Sequence, residues 1–259
     1  MRPRFPSGDG FAISVGVFTV ATTYFGLSTF DFAVAPADEL PAAVLLGLLA
    51  WGAVEQIPNL VDEFVLARGY LAVGALAVLP VLGVVAARLA GRPERVEPFV
   101  LPTLGLALVG LLVVGTGSSR RAEQFLSAET EHLALRGTIS RRYHLAEMVF
   151  SVALGVLVHL AFDDTVTAGT VLGSLVAFAF ASGDQSFEAT VIDSGLVVSR
   201  RGSKGNSLVP WHRVRAVDVD GDTVLVRRAF PRFVTYRFDR SVADDAKEVA
   251  DVLRRCRRR

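Results

Sequence analysis

Cysteine is nearly absent. Cys256 is the one thiol in 259 residues, so no internal disulfide can form and no cysteine cluster exists for zinc or iron and sulfur. Lysine is almost as scarce, with Lys204 and Lys247 against twenty-five arginines. The common catalytic patterns are missing as well: no HExxH pair, no serine framed by a His and Asp arrangement, and no cysteine nucleophile. Gly115-Thr116-Gly117-Ser118-Ser119 has the small residues of a phosphate loop but lacks its lysine. These absences point away from an enzyme and away from a bound cofactor or metal. The largest absence is charge. The runs Phe11 to Phe30, Gly69 to Ala87, Pro98 to Ser119 and Thr165 to Gly183 contain no Asp, Glu, Lys or Arg. With 51% hydrophobic residues and a mean hydropathy of +0.44, the chain is too apolar for water to be its only solvent.

What is there is a set of apolar runs long enough to cross a bilayer. A helix needs roughly 20 residues to span about 30 Å of hydrocarbon. Six stretches approach this length, at 11–30, 41–57, 69–90, 98–117, 145–162 and 165–183, which predicts a six-helix transmembrane domain over 1–183. The second takes in Glu55 and the fifth takes in Glu147 and His159. The first run has no small-residue cleavage pattern at its end and reads as a retained anchor. Between the fourth and fifth spans, 118–144 is too polar to cross. Ala122, Phe125, Leu126, His132, Leu133 and Leu135 recur at roughly helical spacing up to Gly137, which predicts a solvated connecting helix.

Basic residues in short loops set orientation. With both termini in the cytoplasm, eight loop arginines fall inside and three, Arg88, Arg92 and Arg95, fall outside. The expected location is therefore the cell membrane, multi-pass, with cytoplasmic N- and C-termini. Cys256 then offers a handle, since an impermeant thiol reagent is expected to reach it only from the cytoplasmic side.

From Asp184 the pattern changes to short alternating runs bounded by turn residues, the signature of a half-buried antiparallel sheet. Strands are predicted at 187–192, 196–201, 207–210, around Val214 to Val219, at 223–230 and through Val234, Tyr236 and Phe238. Asp193-Ser194-Gly195, 202–206 and Asp220-Gly221-Asp222 are the turns. Ser241 with Asp244 starts a last helix whose apolar stripe is Val242, Ala246, Val249, Ala250 and Leu253. The expected second domain is 184–259.

Asp193-Ser194-Gly195-Leu196, Trp211 followed by Val214 and Val217, the stretch Asp220 to Val226 and the helix Val242 to Leu253 resemble the pleckstrin-homology-like domains of bacteria and archaea. The resemblance covers about a quarter of the chain. It implies a small bent β-barrel plugged at one end by a C-terminal helix, attached to membrane spans, and it implies no catalytic signature. Relatives of this kind bind lipids, peptides or each other.

Residues 184–259 hold sixteen basic against eleven acidic residues, whereas 1–183 hold eleven against fifteen. Arg200, Arg201 and Lys204 in the second turn are the candidate contact for anionic headgroups or a protein partner, since such headgroups attract basic side chains by about 1 kcal/mol each near the surface. The arginine-rich end, Arg254 to Arg259, complements a helix C-terminus, and nucleic acid is not an expected partner. Glu55, Glu147 and His159 are the ionisable groups within predicted spans, where such groups mark functional sites by default. The expected function is a non-enzymatic integral membrane protein whose PH-like domain mediates self-association, protein assembly or membrane-surface binding. The alternative is a small transporter or channel regulated by that domain.

Overall fold

A computed structural model of the chain describes residues 9–30, 36–91, 93–139, 186–200, 205–229, 234–238 and 246–258. They fall into two compact units that meet between Arg121 and Ala122. The predicted spans 145–162 and 165–183, with Glu147 and His159, lie outside the described residues.

The first unit is helical. Its elements are α1 (Gly10–Thr29), α2 (Pro36–Gln56), α3 (Pro58–Leu66), α4 (Gly69–Leu89), the single turn α5 (Pro93–Val96) and α6 (Val100–Ala128). Among the described residues four helices are long and apolar enough to cross a membrane: Gly10–Thr29, Ala37–Gln56, Gly69–Leu89 and Glu97–Ala128. Pro58 ends α2 because a proline donates no backbone hydrogen bond, and it opens α3 at a position where none is needed. At nine residues α3 is roughly 14 Å long and does not span. A left-handed turn at Arg68 (φ 63°) redirects the chain into α4.

The packing of this unit inverts that of a soluble bundle. Leu45, Leu49, Leu76, Leu82 and Leu108 face outward, while Ala12, Ser14, Ala43, Ala77 and Thr103 are buried. In hydrocarbon, burying leucine gains little and close approach of small residues gains more. A Cβ at Gly47 of α2 would lie 2.3 Å from the Val20 side chain and 2.8 Å from the Gly16 carbonyl of α1. A Cβ at Gly110 would lie 2.2 Å from the Ala77 Cβ, and one at Gly74 would lie 2.3 Å from Val114, so α4 and α6 meet the same way.

The second unit is a seven-stranded antiparallel sheet with a C-terminal helix. Its strands are β1 (Leu133–Ile139), β2 (Ser186–Ile192), β3 (Gly195–Arg200), β4 (Asn206–Pro210), β5 (Val214–Asp220), β6 (Thr223–Arg228) and β7 (Thr235–Phe238), in the order β4-β3-β2-β1-β7-β6-β5. Two meanders are thus joined through β1, which pairs with β2 on one side and β7 on the other. Alternation places Phe187, Ala189 and Val191, then Leu196 and Val198, then Val224 and Val226, in one core. The helix α7 (Ala246–Arg258) lays Val249, Ala250, Leu253 and Cys256 on that core. Gly221, at φ 60°, makes the tight turn between β5 and β6.

Two expectations are corrected here. Residues 133–139 are a strand and not the end of a connecting helix, because α6 stops at Ala128 and the backbone of β1 is satisfied by two neighbouring strands. The sheet therefore takes in chain well before residue 184. The change of composition at 184 marks where apolar sequence ends, not where the sheet begins. Cys256 is 8% exposed and packed in the core, so it is a poor handle for an impermeant thiol reagent.

Candidate membrane-facing site

The register of the sheet defines one of its ends. β1 runs out at Ile139 and β2 enters at Ser186, with Thr138 paired to Ser186. At this same end β3 finishes with Arg200 and β4 begins, with Ser199 paired to Asn206. The backbone of Arg200, paired with Phe187, therefore lies beside the points where the chain leaves and re-enters the sheet. Arg201, Lys204 and the Arg200 side chain lie outside the described residues. The end of β6 and the start of β7 share this end too, since Ile139 pairs with Tyr236 and the Arg228 N–H donates to the Val234 carbonyl at 2.9 Å.

The opposite end is locked by polar contacts. The Ser194 N–H donates to Glu129 Oε2 at 2.7 Å, His132 Nε2 meets Asp193 Oδ1 at 2.8 Å, and Trp211 Nε1 donates to the Asp193 carbonyl at 2.9 Å. Above the turn, Ala122, Phe125 and Leu126 of α6 cover Ile192, Val197 and Leu208 on the outer sheet face. Asp193-Ser194-Gly195 is thus a clamped structural turn. It joins β2 to β3.

In the helical unit, Glu55 accepts a hydrogen bond from Trp51 Nε1 at 3.0 Å, one turn earlier on α2. That contact gives this carboxylate a fixed indole partner. Arg120 ties three elements together. It pairs with Asp9, which caps α1 by accepting from Phe11 N at 2.9 Å, and its Nε and Nη2 reach Asp62 of α3 at 2.9 and 2.8 Å. Its guanidinium also stands 5.9 Å from the centre of the Phe11 ring. The start of α1, α3 and residue 120 of α6 therefore occupy one end of the helical unit. Ser14 and Thr116 add a hydroxyl contact of 2.7 Å nearby. Gly117 packs against Tyr70 and Phe11 there, so this glycine serves helix packing, whereas a Cβ at Gly115 would meet nothing within 4 Å. These small-residue contacts were not anticipated from the sequence, and the spacing of Gly16, Gly47, Gly74 and Gly110 carries them only once the helix partners are known.

Arg120→Ala removes the cation that Asp9 and Asp62 share. Because the three side chains are partly exposed, the expected loss is about 1–2 kcal/mol, below that of a fully buried pair. It is measured as a lower melting temperature of the detergent-solubilised chain. An unchanged melt would show that the cluster contributes nothing to holding the helices.

An apolar groove of about 630 Å³ runs between Phe11, Val15, Phe18, Val54, Val61 and Val113, with Glu63 on its wall. Among the described residues no group of three or more His, Cys, Asp or Glu could hold a metal ion.

No protein-family model matches the chain, and no curated protein matches it. Among solved structures, the C-terminal domain of an unknown protein from Leishmania infantum is similar at 6% identity, a TM-score of 0.29, 53% of this chain and 93% of its own. A second similar structure is human RhoA in complex with the DH/PH fragment of PDZRHOGEF, at 11% identity, a TM-score of 0.30, 93% of this chain and 73% of that one. Neither likeness is close enough to carry an argument about this chain.

Proposed function

We propose that this chain is a non-enzymatic multi-pass membrane protein, with both termini in the cytoplasm, whose C-terminal PH-like domain binds the membrane surface through the end of its sheet that carries Arg200, Arg201 and Lys204. The observation that carries this reading is the pairing of Thr138 with Ser186 across the connection 140–185. That connection contains the two long apolar runs 145–162 and 165–183. Because β1 and β2 pair in one sheet, any crossing of the membrane between them is even in number, so the runs suit a hairpin that leaves and returns on one side. A sheet held this way turns the departing end, with Arg200 at the end of β3, toward the leaflet. The order of the seven strands and the single C-terminal helix support the PH-like reading.

The transporter alternative is less well supported. It needs a polar path, whereas the groove among the described helices is apolar and Glu55 has an indole partner in Trp51.

The test uses the full chain, because a fragment beginning at 184 lacks β1, the strand that joins the two meanders. A fluorophore at Ser207→Cys in a Cys256→Ala background, quenched by nitroxide-bearing lipid in nanodiscs, reads the distance of the turn from the surface. Quenching is expected to be stronger with phosphatidylglycerol than with phosphatidylcholine and to fall as salt rises. It is expected to be lost in Arg200→Gln/Arg201→Gln/Lys204→Gln, which removes roughly 3 kcal/mol of attraction. Quenching that ignores lipid charge, salt and the triple variant would move the weight to protein assembly.

A further inference from the structure

The apolar groove of the helical unit has a closed back and an open rim. On α1, Phe11, Val15 and Phe18 share one face at helical spacing, and α2, α4 and α6 each add one valine. The back is sealed, since Phe11 and Val113 are 3% and 1% exposed. The rim on α3 is open, with Leu60 and Phe64 62% and 42% exposed. A recess of about 630 Å³ is the size of a small-molecule site. Lined almost wholly by carbon, it does not hold water, so what occupies it is apolar along most of its length.

The groove is not uniform from end to end. Phe11 and Phe18 stand about 10 Å apart along α1. At the Phe11 end the Arg120 guanidinium lies 5.9 Å from the ring centre, held by Asp9 and Asp62. Glu63 follows Asp62 on α3 and so belongs to this charged end. It is the one charged residue on the wall, which neither Arg68 nor Arg120 lines. Among the described residues Glu63 has no ion-pair partner, and its side chain is exposed, so its carboxylate is open to a cation from outside the chain. Toward Phe18 the wall carries no charge.

A negative charge at one end and an apolar recess running inward from it complement an amphiphile. A headgroup with phosphate and no ammonium would bring like charge to Glu63. A wholly apolar helix would fill the recess and leave the carboxylate unanswered. We infer that the groove binds one lipid acyl chain whose headgroup carries an ammonium, as in phosphatidylethanolamine, with the ammonium at Glu63 and the chain along Val15 and Phe18. The inference rests on these helices lying in a bilayer and not on the sheet or its basic turn.

Native mass spectrometry of the full chain, delipidated in detergent and titrated with dioleoylphosphatidylethanolamine or dioleoylphosphatidylglycerol, is the test. One phosphatidylethanolamine per chain is expected, at about threefold lower concentration than phosphatidylglycerol, the scale of one exposed ion pair. Glu63→Gln, at an exposed position, is expected to keep the adduct and erase that preference. Val54→Phe and Val73→Phe, at half-buried positions of the wall, are expected to lose the adduct with helix content unchanged by circular dichroism. Leu79→Phe, which faces outward and lines no part of the groove, is expected to keep it. Absence of a single-lipid adduct on the native chain overturns the site, and is also the result that a segment of this chain seated in the groove would give. So does an adduct undiminished in both phenylalanine variants, or a native chain that binds the two lipids equally. None of these readouts involves the fluorophore near the basic turn, so failure of this site and failure of the membrane-surface reading are separable.

Discussion

Truncating Phe187 to alanine is expected to cost the sheet domain about 3–5 kcal/mol, the largest single loss available in it. The side chain is 1% exposed and meets Tyr236 and Phe238 edge-on, with ring centres 5.2 and 5.3 Å away. Its ring fills the space over Gly137, which pairs with Phe187 on one side and Phe238 on the other. A Cβ at Gly137 would lie 2.8 Å from the Phe187 ring and 2.2 Å from the Arg237 carbonyl, so ring and glycine form one fitted joint between the two meanders. Removing the ring leaves a cavity bounded by paired backbone on three strands, which cannot collapse to fill it. Denaturant unfolding followed by Trp211 fluorescence in a Trp51→Phe background measures the loss. Phe187→Leu, which keeps most of the volume, is expected to cost less. A loss below about 1 kcal/mol for the alanine variant would mean that this joint is not what holds the sheet together.

The second large effect concerns the helices. Gly47→Leu forces a side chain against Val20 and the Gly16 carbonyl, and a backbone oxygen can yield only if α1 and α2 move apart. Overpacking of this kind costs about 1–3 kcal/mol and more where backbone must shift. Gly52→Leu on the same helix is the control, because a Cβ there meets nothing within 4 Å. It is expected to be neutral or mildly stabilising, since glycine is a poor helix former. Thermal melts of the two variants in detergent decide the matter. Equal melting temperatures would remove the close contact of α1 and α2 from the account of the fold.

The division into an apolar part and a sheet part was legible because each solvent imposes its own pattern, long uncharged runs in one and short alternation with turns in the other. The strands β2 to β7 and the Ala246, Val249, Ala250 and Leu253 part of the α7 stripe could be read from parity and turn residues alone, while Val242 and the predicted start at Ser241 and Asp244 lie outside the described residues. β1 was not. Leu133 and Leu135 follow Ala122, Phe125 and Leu126 at spacings a helix also satisfies, and Gly137 imitates a helix C-terminus. Its true role, letting Arg237 and Phe187 approach, exists only once strands far apart in the chain are paired. The basic turn was proposed from composition, and of it the described residues include only the backbone of Arg200, at the end of β3.

The placement of β1 also dictates an order of assembly. This strand leaves the ribosome before residues 140–185 and before every strand with which it pairs. At 5–20 residues per second, roughly 5–20 s of synthesis separate the completion of β1 from that of β7. For that interval Leu135 and its neighbours have no sheet to bury them. The sheet is therefore completed only after residues 140–185 have been synthesised, so the pairing of β1 waits on chain that follows it.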